Sequence, residues 1–396
     1  MKIAAIISEY NPFHKGHEYQ IQETKTTGGA THIIALMSGN FVQRGYPAII
    51  DKYKRAEMAL LGGADLVLEL PTVYAVASAE HFALGSVRIL NALNGVSMLS
   101  FGSETGSLLN LKAVAALLAH ESLDFKTKLK ENLSEGMSFP RARNLAIQSV
   151  SSIKDLDFLA SPNNILAIEY LKAMIKTDSP MEPFTLKRKG SGYHHMELET
   201  GKFASASAIR QGLLQKHQVT DFLPEKIIST FQNLMDEDYD FIQGEDFKDL
   251  LLYRLISDEN GLNNIADASE GLDKRIYQHM AVLDHSGLDA FIQSIKTKRY
   301  SHTRISRILT QFLLSLSTNE TSSLLKSTPP SAKILALNEK GREIIASLRK
   351  DQTITLQHNF KKNLDDFQRI DVRASRIYGL KNKSYDPSWD FKGYNP

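Results

Sequence analysis

The stretch KIAAIISEYNPFHKGHEYQIQ, residues 2–22, joins a short apolar run to a polar segment that can form a helix. The run KIAAIIS has the apolar, β-branched character of a buried strand, and YQIQETK has helical spacing. His14 and His17 stand three residues apart where that helix would begin. The stretch therefore predicts a strand–loop–helix unit that carries two imidazoles at its turn.

The same alternation of strand and helix patterns continues through the first hundred residues. Further buried strands are expected at THIIALMS (31–38), ADLVLELP (64–71) and VSMLSFGS (96–103), with helical segments between them. This repetition predicts an α/β fold, a doubly wound parallel sheet with helices on both faces. Ligands in such sheets bind at the carboxyl ends of the strands.

Beyond residue 106 the pattern becomes mostly helical. One more strand is expected at FTLKRKG (184–190), followed by a helix within 203–214 that Ser205 or Ser207 could cap. We predict a sheet domain over residues 1–220 and a mainly α-helical domain over residues 221–396. The final segment, KNKSYDPSWDFKGYNP, is typical of a poorly packed tail.

Composition excludes several classes of protein. The 396 residues are 42% hydrophobic and 23% charged, with a net charge of +2, as in ordinary globular proteins. No cysteine is present, which rules out disulfides, zinc ribbons, iron–sulfur clusters and thiolate nucleophiles. The first apolar run is too short for a signal peptide, and no stretch approaches the roughly 18 apolar residues of a membrane span. We expect a cytoplasmic protein without a membrane partner.

The histidine pair suits an anion site. Residues three apart share a helix face, and a helix start offers free N–H groups and the positive end of its dipole. Two imidazoles and Lys15 could stabilise charge during displacement at the α-phosphate of a nucleotide, and Gly16 would let a flat group approach the backbone. The histidines could also be structural or bind a metal, but no matching carboxylate–histidine cluster is evident, so no protein metal site is predicted.

An ordered set of segments carries a resemblance to a known family. HKGH matches the HxGH signature of the nucleotidyltransferase superfamily. The whole set resembles the bacterial tRNA(Met) cytidine acetate ligase family and comprises EYNPFHKGH, MSGNFVQRG, KRAEMALLGGADLVLELP, YAVASAEHFALGSV, FGSE, SPNNILAIEY, ASASAIR and TKRYSHTRISRIL.

The resemblance implies a two-step reaction on a Rossmann-like nucleotidyltransferase domain. ATP activates acetate as an enzyme-held acetyl-adenylate, and pyrophosphate leaves. The acetyl group then passes to the exocyclic amine of the wobble cytidine of elongator tRNA(Met), giving N4-acetylcytidine and AMP. Magnesium is expected to accompany ATP, and no obligate protein partner is evident.

The resemblance also implies which residues bind ATP. His14, His17 and Lys15 would be catalytic. The front of the ATP site would comprise Ile7, Ser8, Glu9, Tyr10, Asn11, Pro12, Phe13, His14, Lys15, Gly16, His17, Glu18, Tyr19 and Gln20. Gly102, Asn163 and Arg188 would complete it, although a turn glycine, a helix cap and a solvated strand end would explain these three equally simply.

Two further groups of residues are candidates for contacts with the substrates. ASASAIR resembles the serine-rich phosphate loop of nucleotidyltransferases, so Ser205, Ser207 and Arg210 could hold the leaving phosphates, although helix capping alone would explain the serines. The loop after the second strand offers contacts for acetate or cytidine, or only shapes that loop, through Ser38, Asn40, Gln43 and Arg44. Lys52 and Arg55 on the next helix are interpreted as solvated charges, with phosphate ligands as the alternative.

A basic stretch in the second half favours RNA binding. Residues 291–319 contain no acidic residue, yet they include Lys296, Lys298, Arg299, Tyr300, His302, Arg304 and Arg307. Cations with a nearby aromatic ring suit phosphate contact and base stacking, so we predict tRNA binding here. Two alternatives stay open: a small-molecule adenylyltransferase, and a non-catalytic RNA-binding protein on the same fold.

Overall fold

Strands from both halves of the chain build the central sheet. The computed structural model describes residues 1–151, 153, 156–188, 204–215, 217–348 and 352–394. The strands are β1 (Ile3–Ser8), β2 (His32–Ser38), β3 (Phe41–Val42), β4 (Tyr46–Pro47), β5 (Leu66–Leu70), β6 (Met98–Ser103), β7 (Glu182–Lys187), β8 (Ser331–Leu337) and β9 (Thr355–Gln357).

Helices connect and cover the strands. They are α1 (Lys15–Thr26), α2 (Lys52–Leu61), α3 (Thr72–Ala75), α4 (Ala79–Ala92), α5 (Leu108–Ala119), α6 (Leu123–Ser134), α7 (Phe139–Val150), α8 (Pro162–Lys176), α9 (Ala206–Leu214), α10 (Glu225–Asp236), α11 (Lys248–Ser257), α12 (Leu272–Gln278), α13 (Met280–Ile295), α14 (His302–Leu313), α15 (Thr318–Leu324), α16 (Glu339–Leu348), α17 (Asp366–Gly379) and α18 (Trp389–Lys392). Short 3-10 turns cover Asp157–Ala160, Thr220–Phe222, Glu245–Phe247 and Gly261–Asn264. None of the helices in the described ranges is both long and apolar enough to cross a bilayer.

The strand order places the first loop at the centre of one sheet edge. The order is β7-β6-β1-β2-β5-β8-β9, and the strands from β7 to β5 run parallel. The chain winds from β1 through β2 to β5 and then returns to the other side of β1 to form β6. Because ligands bind where the winding reverses, the crevice between the carboxyl ends of β1 and β6 is the expected site. His14 and His17 follow β1 directly.

The structure confirms the predicted α/β doubly wound fold. The strands expected in the first hundred residues correspond to β1, β2, β5 and β6. β2 and β5 are buried along their whole length, which explains their continuous apolar sequence. The strand expected at 184–190 corresponds to β7, which ends at Lys187; residues 189 and 190, like residue 203 before α9, lie outside the described residues.

Two strands that the sequence analysis does not predict come from the C-terminal half. β8 pairs antiparallel with β5, with Leu337 opposite Leu66, and β9 pairs parallel with β8. The main core therefore contains residues from both sides of residue 220, such as Ile6, Leu68 and Ile334. A second, smaller core lies among α11–α14. The division into domains over 1–220 and 221–396 stays a prediction.

The interpretation of Lys52 and Arg55 as solvated charges is wrong. Both side chains are fully buried. The Lys52 ammonium lies 2.9 Å from the Glu69 carboxylate and 2.7 Å from Asp390 Oδ1. Arg55 donates to the backbone carbonyls of Glu9 and Ser38, among others. The acceptors come from distant segments, which a local reading of the helix cannot include.

The C-terminal segment is well packed, contrary to the expected loose tail. Tyr385 is 3% exposed and Asp390 is fully buried. The Tyr53 ring of α2 stacks on Tyr394 at 5.1 Å between centroids, and Trp389 meets Tyr53 edge-on at 5.8 Å. Aromatic burial and the ion pairs to Asp390 hold this segment against α2.

Candidate active site

The two histidines cap the helix that follows them. His14 precedes α1 with an extended backbone, and its Nδ1 accepts a hydrogen bond from the Gly16 N–H at 3.0 Å. The Nδ1 of His17 accepts from the His14 N–H at 3.2 Å. These bonds satisfy donors that a helix start leaves unpaired. A Cβ at residue 16 would lie 2.8 Å from His14 Cε1, so glycine is needed here to make room for the cap.

This capping fixes the chemical form of both imidazoles. A ring nitrogen that accepts an N–H bond carries no proton, so each neutral histidine holds its proton on Nε2. Burial, together with the positive charges of Arg188 and Arg210, lowers the pKa of His14 to about 3. Burial, His14 and Arg188 lower the pKa of His17 well below its usual value. At neutral pH the pair therefore presents two uncharged Nε2–H donors.

Aromatic packing holds the pair in place. The two imidazole rings stack with centroids 3.7 Å apart and an interplanar angle of 24°. Tyr10 and Phe13 lie within the core, and their rings approach His17 at 4.8 Å and 5.4 Å. Tyr10 and Phe13, both predicted to lie in the ATP site, thus pack against His17 from the core side.

Arg188, Gly102 and Asn163 meet beside the histidines. A Cβ on Gly102 of β6 would lie 3.1 Å from Arg188 Cγ, so the glycine leaves space for the arginine stem. The Asn163 Oδ1 accepts from Arg188 Nη1 at 3.4 Å, and its Nδ2 donates to Glu104 at 2.7 Å. Glu104 also accepts the Asn164 N–H at the start of α8. The sequence analysis missed Glu104, although FGSE contains it.

The start of α9 reaches the same crevice. Ser205 caps α9 by accepting the Ala208 N–H at 3.1 Å, and Ser207 accepts from Arg210 Nη2 at 3.1 Å. Arg210 Nη1 also donates to the Asn11 carbonyl at 2.6 Å. Ser205 is thus a helix cap, whereas Ser207 and Arg210 form a polar pair tied to the loop after β1.

Several predicted ATP-site residues have contacts that brace the loop. The Lys15 ammonium donates to the Asp221 carbonyl at 2.5 Å, so in this structure it contacts the protein backbone. Asn11 Oδ1 accepts the Ile49 N–H at 2.9 Å, and Gln20 Nε2 donates to the Ser100 carbonyl at 3.2 Å. The remaining predicted residues of this range lie at the end of β1, in the loop or on the first turns of α1; they are Ile7, Ser8, Glu9, Pro12, Glu18 and Tyr19.

Comparison with known proteins identifies the family. The model of a family described as HIGH nucleotidyl transferase matches residues 1–390. A Clostridium botulinum protein named tRNA(Met) cytidine acetate ligase is 38% identical over 393 residues, 97% of this chain and 95% of the relative. The chain belongs to the tRNA(Met) cytidine acetate ligase family.

Solved structures agree with this membership. Apo TmcAL of Thermotoga maritima matches with a TM-score of 0.92 and 31% identity, covering 100% of this chain and 99% of that one. The structure of the same protein bound to alpha-thio ATP matches with a TM-score of 0.87 and 32% identity, covering 96% and 95% of the two chains. The chain thus shares its whole architecture with an ATP-binding member of the tRNA(Met) cytidine acetate ligase family.

The loop after β2, which is predicted to contact acetate or cytidine, has one buried part and one partly exposed part. Ser38 and Asn40 are buried, and Asn40 Oδ1 accepts the Lys52 N–H at 2.8 Å, so both lie inside the protein. Gln43 and Arg44 are partly exposed. The Gln43 N–H donates to Glu9 Oε1 at 3.0 Å, and Arg44 lines a pocket with Glu9. Only the second part of the loop is accessible to a substrate.

The basic stretch is partly neutralised by acids from elsewhere in the chain. Arg299 Nη2 lies 3.0 Å from Glu270 Oε2, and the Arg304 guanidinium donates to the Asp267 carbonyl. Lys296, Lys298 and Arg299 are exposed, whereas Arg307 is largely buried, which lowers its pKa.

The expected role of Tyr300 as a base-stacking platform requires correction. The Tyr300 ring is 9% exposed within the second core, and its hydroxyl donates to the Glu270 carbonyl at 2.7 Å. Arg304 lies over the ring at 5.6 Å. A base cannot stack on a ring buried in this way, so the surface available to RNA consists of exposed cations.

Proposed function

We propose that this protein is an ATP-dependent ligase that forms acetyl-adenylate and transfers the acetyl group to the wobble cytidine of elongator tRNA(Met). N4-acetylcytidine, AMP and pyrophosphate would be the products. Family membership over the whole chain supports the reaction, and the ATP-bound relative supports the nucleotide. The observation that carries the chemistry is the pair of Nε2–H donors at the start of α1.

In the first step an acetate oxygen attacks the α-phosphorus. A new O–P bond forms, the bond from the α-phosphorus to the bridging oxygen breaks, and pyrophosphate leaves with that electron pair. The Nε2–H groups of His14 and His17 donate to the phosphoryl oxygens on which charge accumulates. Because these donors are fixed by capping and stacking, they need little reorganisation during the reaction. Arg188, Ser207 and Arg210 stand ready to bind the departing phosphates.

In the second step the exocyclic amine of cytidine attacks the acetyl carbonyl carbon. An N–C bond forms, the C–O bond to the phosphate breaks, and AMP leaves with the electron pair while the amine loses a proton. The protein contributes by holding the adenylate and the nucleobase together in a site that excludes competing water.

Magnesium would enter with the triphosphate. In the described part of the chain no group of three or more histidine, aspartate or glutamate residues is arranged to hold a metal ion. The carboxylates of Glu9, in the loop after β1, and Glu104, after β6, already accept backbone N–H groups. Magnesium bound to ATP needs few protein ligands, since it retains several waters and the phosphates.

We place the tRNA on the exposed cations of the basic stretch, Lys296, Lys298 and Arg299. These side chains are exposed and lie in a segment without acidic residues. We also propose a cytoplasmic location without an obligate protein partner, because the proposed substrates, ATP, acetate and tRNA, are all found in that compartment.

Acetate-dependent exchange of pyrophosphate into ATP tests the first step without tRNA. The His14→Ala variant loses one donor, so exchange should fall by about two to three orders of magnitude. His120→Ala is a matched control, since His120 is exposed at the end of α5. Exchange that does not depend on acetate would refute the proposed ligase, and wild-type exchange in His14→Ala would refute the role of the histidine pair.

A further inference from the structure

A pocket of about 210 Å³ lies next to the loop after β1. One wall is formed by that loop and another by the β3–β4 hairpin, and the rest is formed by α9 and the Ile242–Gly244 segment. The polar residues of the lining include Glu9, Arg44, Tyr46, Arg210 and Gln243. Val42, Pro47, Ile49, Leu214 and Ile242 add apolar walls. His14 and His17 are not among the lining residues, whereas Arg210 belongs both to this pocket and to the proposed phosphate site.

Arg210 connects this pocket to the histidine pair. Its side chain lines the pocket and donates to the Asn11 carbonyl at 2.6 Å. The same guanidinium lies close enough to His14 to contribute to that residue's low pKa. Arg210 therefore joins the pocket to the loop that carries the histidine pair.

The lining chemistry suits a neutral base that has both donors and acceptors. The Glu9 carboxylate offers hydrogen-bond acceptors, and the guanidinium groups of Arg44 and Arg210 offer donors. Apolar walls on several sides also suit a flat base that has left its stack.

We propose that this pocket receives the acceptor cytosine base, with Glu9 as the residue that recognises its exocyclic amine. The proposal rests on the proposed function and names the site of its second substrate. A carboxylate accepts a hydrogen bond from the N4–H of cytosine, and guanidinium groups such as Arg44 can donate to the O2 and N3 acceptors. Uracil presents an oxygen in place of the amine, so its O4 would meet the Glu9 carboxylate without a proton between them.

Glu9 is well placed for this role. Its Oε1 is oriented by the Gln43 N–H at 3.0 Å, and its own backbone carbonyl accepts from Arg55 at 2.5 Å. Arg55 is fully buried and also holds the carbonyl of Ser38. A carboxylate fixed at both side chain and backbone has little freedom to turn away from a mismatched base.

One wall of the pocket packs on α14, the helix that follows the cations proposed to bind tRNA. The β3–β4 hairpin lies directly against α14, because a Cβ at Gly45 would clash with the Arg307 backbone nitrogen. Thr310 of α14 donates to the Gly45 carbonyl at 2.7 Å. Tyr46, which lines the pocket, approaches His302 with ring centroids 6.2 Å apart. The hairpin that lines the pocket is thus attached to the helix that begins shortly after residues 296–299.

Filling the pocket should separate the two steps of the reaction. Leu214 lies in the pocket wall and is 42% exposed, so Leu214→Trp adds bulk there. We expect formation of N4-acetylcytidine to fall at least about tenfold further than acetate-dependent pyrophosphate exchange. Leu380→Trp is the control, because Leu380 is 64% exposed after α17 and should change neither rate. A parallel fall of both rates, a raised KM for acetate, or an unchanged acetylation rate would overturn the proposal.

A binding measurement tests base recognition independently of turnover and of the fold of Leu214→Trp. Anticodon stem-loops with cytidine or uridine at the wobble position are titrated into the full chain without ATP. The wild type should bind the cytidine form about tenfold more tightly, as expected for one well-formed base contact. Glu9→Gln should reduce this ratio to about twofold or less, because an amide can donate to uracil O4 as well as accept from the cytosine amine. An unchanged ratio in Glu9→Gln would overturn the assignment.

The two proposals fail in different ways. A wild-type protein without acetate-dependent exchange would remove the proposed function, and the pocket assignment with it. A wild-type protein that exchanges pyrophosphate and acetylates tRNA, but whose discrimination between cytidine and uridine is insensitive to Glu9→Gln, would remove the pocket assignment alone.

Discussion

Asp390→Asn should strongly destabilise the protein, although Asp390 lies only six residues from the end of the chain. Its Oδ1 is 2.7 Å from the Lys52 ammonium and 3.3 Å from that of Lys333. Glu69 balances the second positive charge, with both oxygens 2.9 Å from Lys52. Burial and the neighbouring Glu69 carboxylate raise the pKa of Asp371, which favours its uncharged form and leaves two carboxylates to balance the two lysines.

Asparagine preserves the size of the side chain but leaves one positive charge uncompensated in the interior. Lys52 is 0% exposed and Lys333 is 3% exposed, so water cannot replace the lost partner. Removing one member of a buried ion pair costs about 3–5 kcal/mol, and we expect a loss of this size in the free energy of unfolding. Equilibrium unfolding in urea measures it as a lower midpoint with an unchanged slope.

Asp386→Asn provides a matched control in the same segment. Asp386 is exposed, and the described hydrogen bonds of its side chain come from the neighbouring Ser388. Its substitution should change the free energy of unfolding by no more than about 0.5 kcal/mol. A loss of less than about 1 kcal/mol in Asp390→Asn would refute the view that this carboxylate balances the buried lysines.

Two further outcomes follow from the site and the basic stretch. Because the pKa of His14 is lowered to about 3, the histidine pair stays neutral across roughly pH 6–8. The rate of pyrophosphate exchange at saturating ATP and acetate should therefore show no inflection near pH 6.5. A rate that rises on acidification through pH 6.5 would indicate that the charged imidazolium is the active form. Changing the three exposed cations of the basic stretch to glutamine should lower the slope of log affinity for tRNA against log salt by about 2. The control changes three exposed lysines of α6 to glutamine and should leave the slope unaltered; these are Lys126, Lys128 and Lys130. Equal slopes for the two triple variants would show that the basic stretch does not contact tRNA.

The parallel sheet was predictable because its signals are local. Each of β1, β2, β5 and β6 is a continuous apolar run bounded by turn residues, and HKGH stands at the turn after the first of them. The resemblance to a known family added the candidate ATP residues, and the structure gathers His14, Gly102, Asn163 and Arg188 at one crevice. Local periodicity was therefore sufficient for the fold class, whereas the roles of the site residues stay predictions.

Features that depend on distant partners were not predictable. Lys52 is buried because Glu69 and Asp390 neutralise it, and neither is a neighbour in sequence. Tyr300 belongs to a core that forms only when α11–α14 come together. The position of β8 in the sheet could not be predicted from its own residues, because it pairs antiparallel with β5, a strand from the first half of the chain. In each case tertiary contacts outweigh the local pattern.

Closure of the sheet by β8 has a consequence for synthesis on the ribosome. Until residues 331–337 have emerged, the backbone groups on one side of β5 have no strand partner, and its buried residues lack part of their cover. The nascent catalytic half must therefore wait for more than a hundred residues of later chain before its sheet is complete. A gene fragment that ends near residue 220 would yield a polypeptide with a permanently open hydrophobic edge, prone to pairing with other copies of itself.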